Sequence, residues 1–290
     1  MAGHASTAQG PATRPFPSTL GVMLPRMLRR NYHTHTFRCQ HASGDCLDYA
    51  RVAEAVGMEV LGFSDHTPLP DDRWPEVRMA MAELDDYEVA IQRAQVEIPD
   101  LLILQGMECE YLPEYHAFYA EELLGRRDYD YLIGAVHFID RPDGWVGAFG
   151  AAQAPEGLRR YVDLTIATID AGLFVCIAHP DVFGSCNPDW NADTAQASRD
   201  ICQAAVAGGI ALELNAYGLR KAPVQAADGT RPGYPWLPFW EIAGEEGVSV
   251  VLSSDAHRPE DVAHGGEELG MIRDRYGLKE VDVLELIAQR

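Results

Sequence analysis

The stretch VSVVLSSDAH, residues 248 to 257, joins a short apolar run to two side chains that commonly bind metals. The run VSVVLS is rich in valine, which suits a parallel strand that is buried on both faces. Asp255 and His257 follow that run immediately. The same order, a buried strand followed by acids or histidines, recurs along the 290-residue chain. This recurrence decides the fold that we predict.

Seven runs of this kind alternate with helix-like segments. The helical patterns include residues 75–98 and residues 155–172. The second range begins with Pro and ends with Gly, as helices often do. Alternation of strand and helix predicts a parallel α/β fold, here a distorted seven-stranded (β/α)7 barrel with helices outside. An open doubly wound sheet is the alternative, but no Gly-rich turn follows the first strand. The other six runs are RRNYH (29–33), EVLGF (59–63), LLILQG (101–106), YLIGAV (131–136), LFVCIA (173–178) and IALELN (210–215).

Each predicted strand leads into polar side chains. In a parallel barrel the carboxyl ends of the strands meet on one face, where active sites are built. Seven of the ten histidines and several acids should therefore lie together. In chain order these groups are His33, His35 and His41; Asp65 and His66; Glu108 and Glu110; His137; His179 and Asp181; Glu213 and Asn215; and Asp255 with His257.

A set of seven histidines and two acids on one face predicts a metal centre. One such residue alone is usually an ordinary polar group, but nine together exceed the four ligands of a structural zinc site. Imidazole with carboxylate favours zinc, manganese or iron over calcium or magnesium. We therefore expect two or three divalent transition-metal ions, as in hydrolases of phosphate esters or amides.

Composition narrows the class of protein. The net charge of −21 and the presence of only two lysines oppose binding to a nucleic-acid backbone. No apolar run is long enough for a transmembrane helix, so no membrane partner is expected. Six cysteines without a CxxC pair predict reduced thiols and a cytoplasmic location.

The first 28 residues differ from the rest. They are rich in Ala, Gly, Ser, Thr and Pro and lack helical or strand periodicity, so we expect a flexible or disordered leader. Residues 29–290 should then form a single metal-dependent domain. His4 is excluded as a ligand because it lies in the leader.

The ordered motifs HTH, SDHTP, GMECE, GAVHF, AHPD, ELNAYGLRK and SDAHRPEDV resemble those of the polymerase and histidinol phosphatase (PHP) family, over about residues 30 to 275. SDHTP and ELNAYGLRK are more similar to its histidinol-phosphatase branch than to its DNA-polymerase branch. The resemblance implies a seven-stranded distorted barrel with a trinuclear metal site.

The resemblance also implies how the ligands divide. One metal would take His33, His35, Glu108 and Asp255; a second would take His137 and His179 with Glu108 as a bridge; a third would take His41, His66 and His257. Asp65 and Asp181 would orient imidazoles from outside the ligand set.

The function expected from these residues is hydrolysis of a small phosphate ester, with metal-activated water as the nucleophile. Arg220, Lys221 and Arg258 are candidate phosphate-binding cations, with Arg220 preferred because a guanidinium binds phosphate through two parallel hydrogen bonds. Glu110 and Tyr111 are candidates for substrate recognition. L-histidinol phosphate, in histidine biosynthesis, is the first hypothesis. The alternatives are another small-molecule phosphatase or phosphodiesterase, acting on sugar or nucleotide phosphates, and a non-catalytic metal-binding module.

Overall fold

The computed structural model describes residues 27–227 and 229–290. The expected leader therefore lies outside the described residues, except at its end. Leu28 is buried, and its N–H donates to the Ala263 carbonyl at 3.0 Å. The strands are β1 (Arg30–Asn31), β2 (Val60–Phe63), β3 (Leu102–Glu110), β4 (Tyr131–Ala135), β5 (Phe138–Arg141), β6 (Gly144–Gly147), β7 (Cys176–Ile177), β8 (Ala211–Asn215), β9 (Val224–Ala226), β10 (Gly229–Arg231), β11 (Ser249–Ser253) and β12 (Lys279–Glu280).

Helices connect these strands on the outside. A π-helical segment, Phe118–Arg126, lies between β3 and β4. Among the described residues, no helix has both the length and the hydrophobicity that crossing a lipid bilayer requires. The α-helices are α1 (Cys46–Ala55), α2 (Leu84–Glu97), α3 (Ala148–Ala151), α4 (Pro155–Asp170), α5 (Ala192–Gly208), α6 (Leu237–Glu246), α7 (Gly266–Tyr276) and α8 (Val283–Ala288).

The main sheet is parallel and curled, which confirms the predicted fold class. Its strand order is β1-β2-β3-β4-β7-β8-β11-β12, with every neighbouring pair parallel. The seven predicted strands are present. The two-residue β12 is an eighth strand that the sequence analysis missed, because it is too short to show a periodic pattern.

The curled sheet brings its first strand back to its seventh. Thr34 and Ala256 form a parallel bridge beyond the ends of β1 and β11, with the His35 N–H donating to the Ala256 carbonyl at 2.9 Å. The buried Asn31 amide donates to Ser254 Oγ at 2.7 Å. These contacts fix the two histidines after β1 beside the two ligand candidates after β11.

The interior of the barrel is filled by side chains below the site. Tyr131 is 1% exposed, and its hydroxyl donates to the carbonyl oxygens of Tyr32 at 2.7 Å and Phe63 at 3.2 Å. Gly62 and Gly106 leave room for this ring, because a Cβ at either position would collide with it. Side chains of helix α8 pack against the buried cluster that includes Tyr32 and Tyr131, at the end of the barrel below the site.

The long helix predicted over residues 75–98 is shorter than expected and begins at Leu84. Residues 75–78 form turns and bends, and Trp74, just before the predicted start, has a φ of 59°, which lies outside the helical region. Arg78 Nη1 donates to the Thr67 carbonyl at 2.9 Å, which ties the preceding loop to the barrel. Residues 74–80 are therefore part of a loop at the mouth of the barrel.

We expect Tyr131→Phe to lower the free energy of unfolding by about 1–3 kcal/mol, because it leaves a buried carbonyl without its donor. Denaturant unfolding monitored by circular dichroism would measure the change. Tyr276→Phe is the matched control, since Tyr276 is half-buried and its hydroxyl has no hydrogen-bond partner within the described residues. Equal stability of Tyr131→Phe and the wild type would contradict the role of this hydroxyl.

Candidate metal centre

The structure brings all nine expected ligands to the carboxyl-terminal mouth of the barrel. Seven are buried, His137 is half-buried, and His41 is exposed at the rim. His33 and His35 follow β1, His66 follows β2, Glu108 lies in β3, His137 follows β4, His179 follows β7, and Asp255 and His257 follow β11.

Glu108 occupies the centre of this cluster. It is 1% exposed, and imidazole nitrogens from four strand ends face its carboxylate. Burying a carboxylate is costly unless positive charge compensates it. Oε1 lies 3.0 Å from His179 Nε2 and 3.3 Å from His137 Nε2, whereas Oε2 lies 2.8 Å from His66 Nδ1, 3.4 Å from His33 Nε2 and 3.5 Å from His35 Nε2.

Six of the imidazoles form three close pairs through their Nε2 atoms. The Nε2 to Nε2 distance is 3.0 Å for His33 and His35, 3.2 Å for His137 and His179, and 3.0 Å for His41 and His257. Two ligands of one ion approach each other in this way, because zinc to nitrogen bonds are about 2.0–2.1 Å long.

The pair formed by His41 and His257 tests whether the residues fit a cation. His41 Nδ1 lies 2.6 Å from the Cys39 carbonyl, and His257 Nδ1 lies 3.2 Å from the Asp255 carbonyl. A carbonyl accepts only, so both Nδ1 atoms must carry hydrogens. In the neutral rings both Nε2 lone pairs then face each other at 3.0 Å. A cation between them removes this repulsion, so the donor set fits a bound metal.

Carboxylates behind the histidines fix other rings in the same tautomer. His33 Nδ1 donates to Glu213 Oε1 at 2.7 Å, and His137 Nδ1 donates to Glu110 Oε2 at 3.0 Å. Each ring is left with an Nε2 lone pair that points into the cluster. Carboxylate–histidine pairs of this kind orient metal ligands and raise their basicity.

Without bound ions, the pKa values of the clustered imidazoles indicate that the buried carboxylates need positive charge nearby. Partial desolvation of the ring, with the neighbouring imidazoles of His257 and His35, lowers the pKa of His41 to about 4. Burial lowers the pKa of His66 and His257 as well. Burial also acts on His137, but Glu108 and Glu110 outweigh it and raise the pKa of His137 to about 10. Protons on some imidazoles thus supply the charge that divalent cations would supply.

Two expected ligands have unusual backbone conformations. His179 has a φ of 30° and Asp255 a φ of 50°, values that residues other than glycine rarely adopt. The His179 N–H donates to Glu213 Oε2 at 3.0 Å, and Asn215 Nδ2 donates to Asp255 Oδ2 at 3.1 Å. Side chains of β8 therefore hold both conformations. Glu213 and Asn215 lacked an assigned role in the sequence analysis.

The structure corrects the expected roles of Glu110 and Tyr111. The Glu110 carboxylate accepts from the backbone N–H groups of His137 and Phe138 at 2.9–3.0 Å, so it orients His137 rather than a substrate. The Tyr111 hydroxyl meets His116, and its ring packs near Tyr119, outside the cavity. Both residues follow a ligand in sequence, and that was the only signal for their assignment.

Asp65 and Asp181 behave differently from each other. Asp65 Oδ1 lies 3.7 Å from His35 Nδ1 and accepts from the Thr36 N–H at 2.9 Å, so its orienting role stays a prediction. Asp181 Oδ2 instead accepts from the Trp236 N–H at 2.6 Å and Trp240 Nε1 at 2.8 Å. Asp181 therefore anchors the start of α6 and, within the described residues, makes no hydrogen bond to an imidazole, which corrects the second expectation.

The three candidate phosphate-binding cations lie in different surroundings, and the preference for Arg220 stays a prediction. Arg220 Nη2 donates to the carbonyl oxygens of Ser254 at 2.7 Å and Asp255 at 3.0 Å, which engages its guanidinium in the fold. Lys221 Nζ lies 4.2 Å from the centre of the Tyr217 ring and lines the cavity above the cluster. Arg258 is exposed on the wall of an adjoining cleft.

The cavity above the cluster has a volume of about 210 Å³. Clefts that hold drug-sized ligands measure about 300–1,000 Å³, so this one suits a small molecule. The Tyr217 ring stacks on His257 at 4.4 Å and forms part of the wall. Of the residues in this wall, the sequence analysis singled out Lys221 alone as a candidate site residue. The wall residues are Val77, Arg78, Phe138, Gly147, Phe149, Tyr217, Lys221 and Tyr234.

The PHP domain model matches residues 31–217, which include seven of the nine expected ligands. The chain belongs to the PHP domain family. It is similar to a Deinococcus radiodurans protein named "Probable histidinol-phosphatase", with 35% identity over 79% of this chain and 86% of that protein. It is also similar to a Bacillus subtilis histidinol-phosphatase, with 27% identity over 83% of this chain and 98% of that protein.

A solved structure has the same fold. The histidinol phosphate phosphatase from Lactococcus lactis, complexed with zinc, L-histidinol and phosphate, is 16% identical with a TM-score of 0.67. The alignment covers 88% of this chain and 95% of that one. Family membership and the donor set together support divalent metal binding by this cluster.

We expect Glu108→Gln to reduce bound metal by at least one ion per chain and to abolish most turnover, because the amide keeps the shape but removes the charge. Inductively coupled plasma mass spectrometry of purified protein would count the ions. Glu114→Gln is the control, since Glu114 is exposed on the surface of the same barrel end. Full metal content in Glu108→Gln would show that this carboxylate is no shared ligand.

Proposed function

We propose that the chain is a metal-dependent phosphomonoesterase that hydrolyses L-histidinol phosphate to L-histidinol and phosphate. The single observation that supports this most strongly is the cluster of nine donors, eight of which line a cavity of about 210 Å³. The similar proteins from Deinococcus and Bacillus, both named for this activity, support the choice of substrate.

We propose three divalent ions, one at each close pair of imidazoles. The site of His33 and His35 would add Glu108 and Asp255; that of His137 and His179 would share Glu108; and that of His41 and His257 would add His66. Zinc, manganese and iron all suit this mixture of imidazole and carboxylate. When bound, such ions supply a hydroxide nucleophile at neutral pH and stabilise charge on the phosphoryl oxygens.

The chain's own groups prepare the substrate for that chemistry. Lys221, held over the rings of Tyr217 and Phe149, puts a positive charge where an anionic phosphoryl group enters the cavity. The aromatic walls exclude water and contact the rest of a small substrate. Glu213 and Glu110 keep His33 and His137 in the tautomer that ligation needs.

The substrate assignment predicts a clear kinetic preference. We expect kcat/KM for L-histidinol phosphate to exceed that for sugar phosphates, nucleotide monophosphates and a phosphodiester by at least about tenfold, which is about 1.4 kcal/mol of discrimination. Prolonged chelation should abolish activity, and divalent zinc, manganese or iron should restore it. A tenfold preference for another ester on the panel would reject L-histidinol phosphate as the substrate and uphold the phosphatase activity. Hydrolysis of no ester by metal-loaded protein would favour a non-catalytic module.

Substitutions of the neighbouring cations Arg220 and Lys221 should have different effects on kinetics and stability. Lys221→Ala should raise KM and lower kcat/KM by about one to two decades with full metal content, because charge-assisted hydrogen bonds contribute roughly 1.5–3 kcal/mol. Arg220→Ala should instead lower the melting temperature and metal retention, because Arg220 holds the carbonyls beside Asp255. A KM defect in Arg220→Ala, with normal stability and metal content, would restore Arg220 as the phosphate-binding residue.

A further inference from the structure

The cavity wall contains an arginine, Arg78, in addition to Lys221. Arg78 lies in the loop between β2 and α2 and is only 3% exposed. It lines the same cavity as His66, His137 and Glu108. Arg78 and Lys221 are the lysine and arginine side chains of that wall within the described residues.

The hydrogen bonds of Arg78 are incomplete. Nη1 donates to the Thr67 carbonyl at 2.9 Å, and the guanidinium lies 5.0 Å from the centre of the Trp74 ring. The buried Nε has no hydrogen-bond partner among the described residues. Glu110 and Glu108 are the carboxylates whose negative charge acts most on Arg78. Glu110 already contacts His137, and Glu108 already contacts the imidazole cluster.

Another buried arginine shows how this chain treats such a charge elsewhere. Arg38 is 2% exposed and is paired with two carboxylates, Asp45 and Asp86, each at 2.6 Å. Arg78 is equally buried and makes no ion pair within the part of the chain that the structure describes. A buried, unpaired charge is strongly destabilising unless a partner supplies the opposite charge. Arg78 therefore lies in the cavity wall with a charge that an anion in the cavity could pair with.

The loop around Arg78 is built to hold it in place. Asp72 and Trp74 have φ values of 51° and 59°, which cost energy in residues other than glycine. The Trp74 ring stacks flat on Phe138 at 4.1 Å, and the Arg78 guanidinium lies over the Trp74 ring. Rigid support lowers the entropy lost when the guanidinium binds a ligand.

We propose that Arg78 is a phosphate-binding residue of this site, and that its guanidinium binds non-bridging oxygens of the phosphoryl group. A planar guanidinium matches phosphate geometry, which a lysine ammonium cannot do. The inference rests on the proposed phosphatase function and refines it. Because the phosphoryl group is common to substrate and product, Arg78 should affect inorganic phosphate and phosphate esters, and should leave binding of the dephosphorylated alcohol unchanged.

The test compares Arg78→Met and Arg78→Lys with Arg73→Met in the metal-loaded, full-length protein. Arg73 is a matched control on the same loop, where it pairs with Asp71 and contacts Trp74 outside the cavity wall. Isothermal titration calorimetry would measure the Kd of inorganic phosphate and of L-histidinol separately. Steady-state kinetics on p-nitrophenyl phosphate and on L-histidinol phosphate, with metal content and melting temperature, would complete the set.

We expect Arg78→Met to weaken phosphate binding by about one to two decades. It should raise KM for both esters and leave L-histidinol binding and metal content at the wild-type level. Arg78→Lys should recover part of the loss, because it keeps the charge and loses the planar geometry. Arg73→Met should match the wild type in every measurement.

Two results would overturn the inference. One is an unchanged phosphate Kd in Arg78→Met. The other is an equal loss of phosphate and L-histidinol binding with a lower melting temperature and no recovery in Arg78→Lys, which indicates a structural residue. Failure of the proposed function looks different. Phosphate binding that depends on Arg78, in a protein that does not hydrolyse L-histidinol phosphate, would uphold Arg78 and reject the substrate.

Discussion

The crowding of imidazole nitrogens around one buried carboxylate is the constraint on which the site depends. Glu108 lies in β3, whose neighbours in the sheet are β2 and β4, so side chains after both adjacent strands can reach it. The isolated bridge between His66 and Glu108 extends the β2–β3 pairing as far as the ligands. A sheet that failed to curl would leave the donors after β1 and β11 at opposite edges. Barrel closure is thus a condition for the metal centre.

Holding these donors requires backbone strain and secondary contacts. His179 and Asp255 adopt positive φ values, each costing of order 1–3 kcal/mol. Glu213, Asn215 and Arg220, all on or after β8, bind the same two segments. Their contacts offset the strain before any ion binds. Metal binding then adds the charge that the lone pairs and carboxylates require, which links ion affinity to the rigidity of β8.

Local patterns in the sequence predicted the strands and the side chains that cluster at their ends. An apolar run followed by His or Asp needs only a few adjacent residues to be read, and parallel topology then aligns the strand ends. The roles of Glu110, Asp181, Arg220 and Arg78 depend on partners far along the chain, which no short pattern specifies. Arg220 and Lys221 show this most simply. They are neighbours at the end of one turn, yet one faces the Ser254 carbonyl and the other faces the cavity.

The strongly negative chain poses a problem for an anionic substrate. The 44 acidic residues outnumber the 23 basic ones, yet a phosphoryl group must enter the cavity. Charges on distant surfaces are largely screened beyond about 8 Å at physiological ionic strength. The potential at the cavity therefore depends on the nearby charges, namely the bound ions, Arg78 and Lys221. Bound metal would neutralise Glu108 and Asp255, so these two cations would then act on an approaching phosphate with little local opposition. The net charge is therefore compatible with a small phosphate monoester as the ligand.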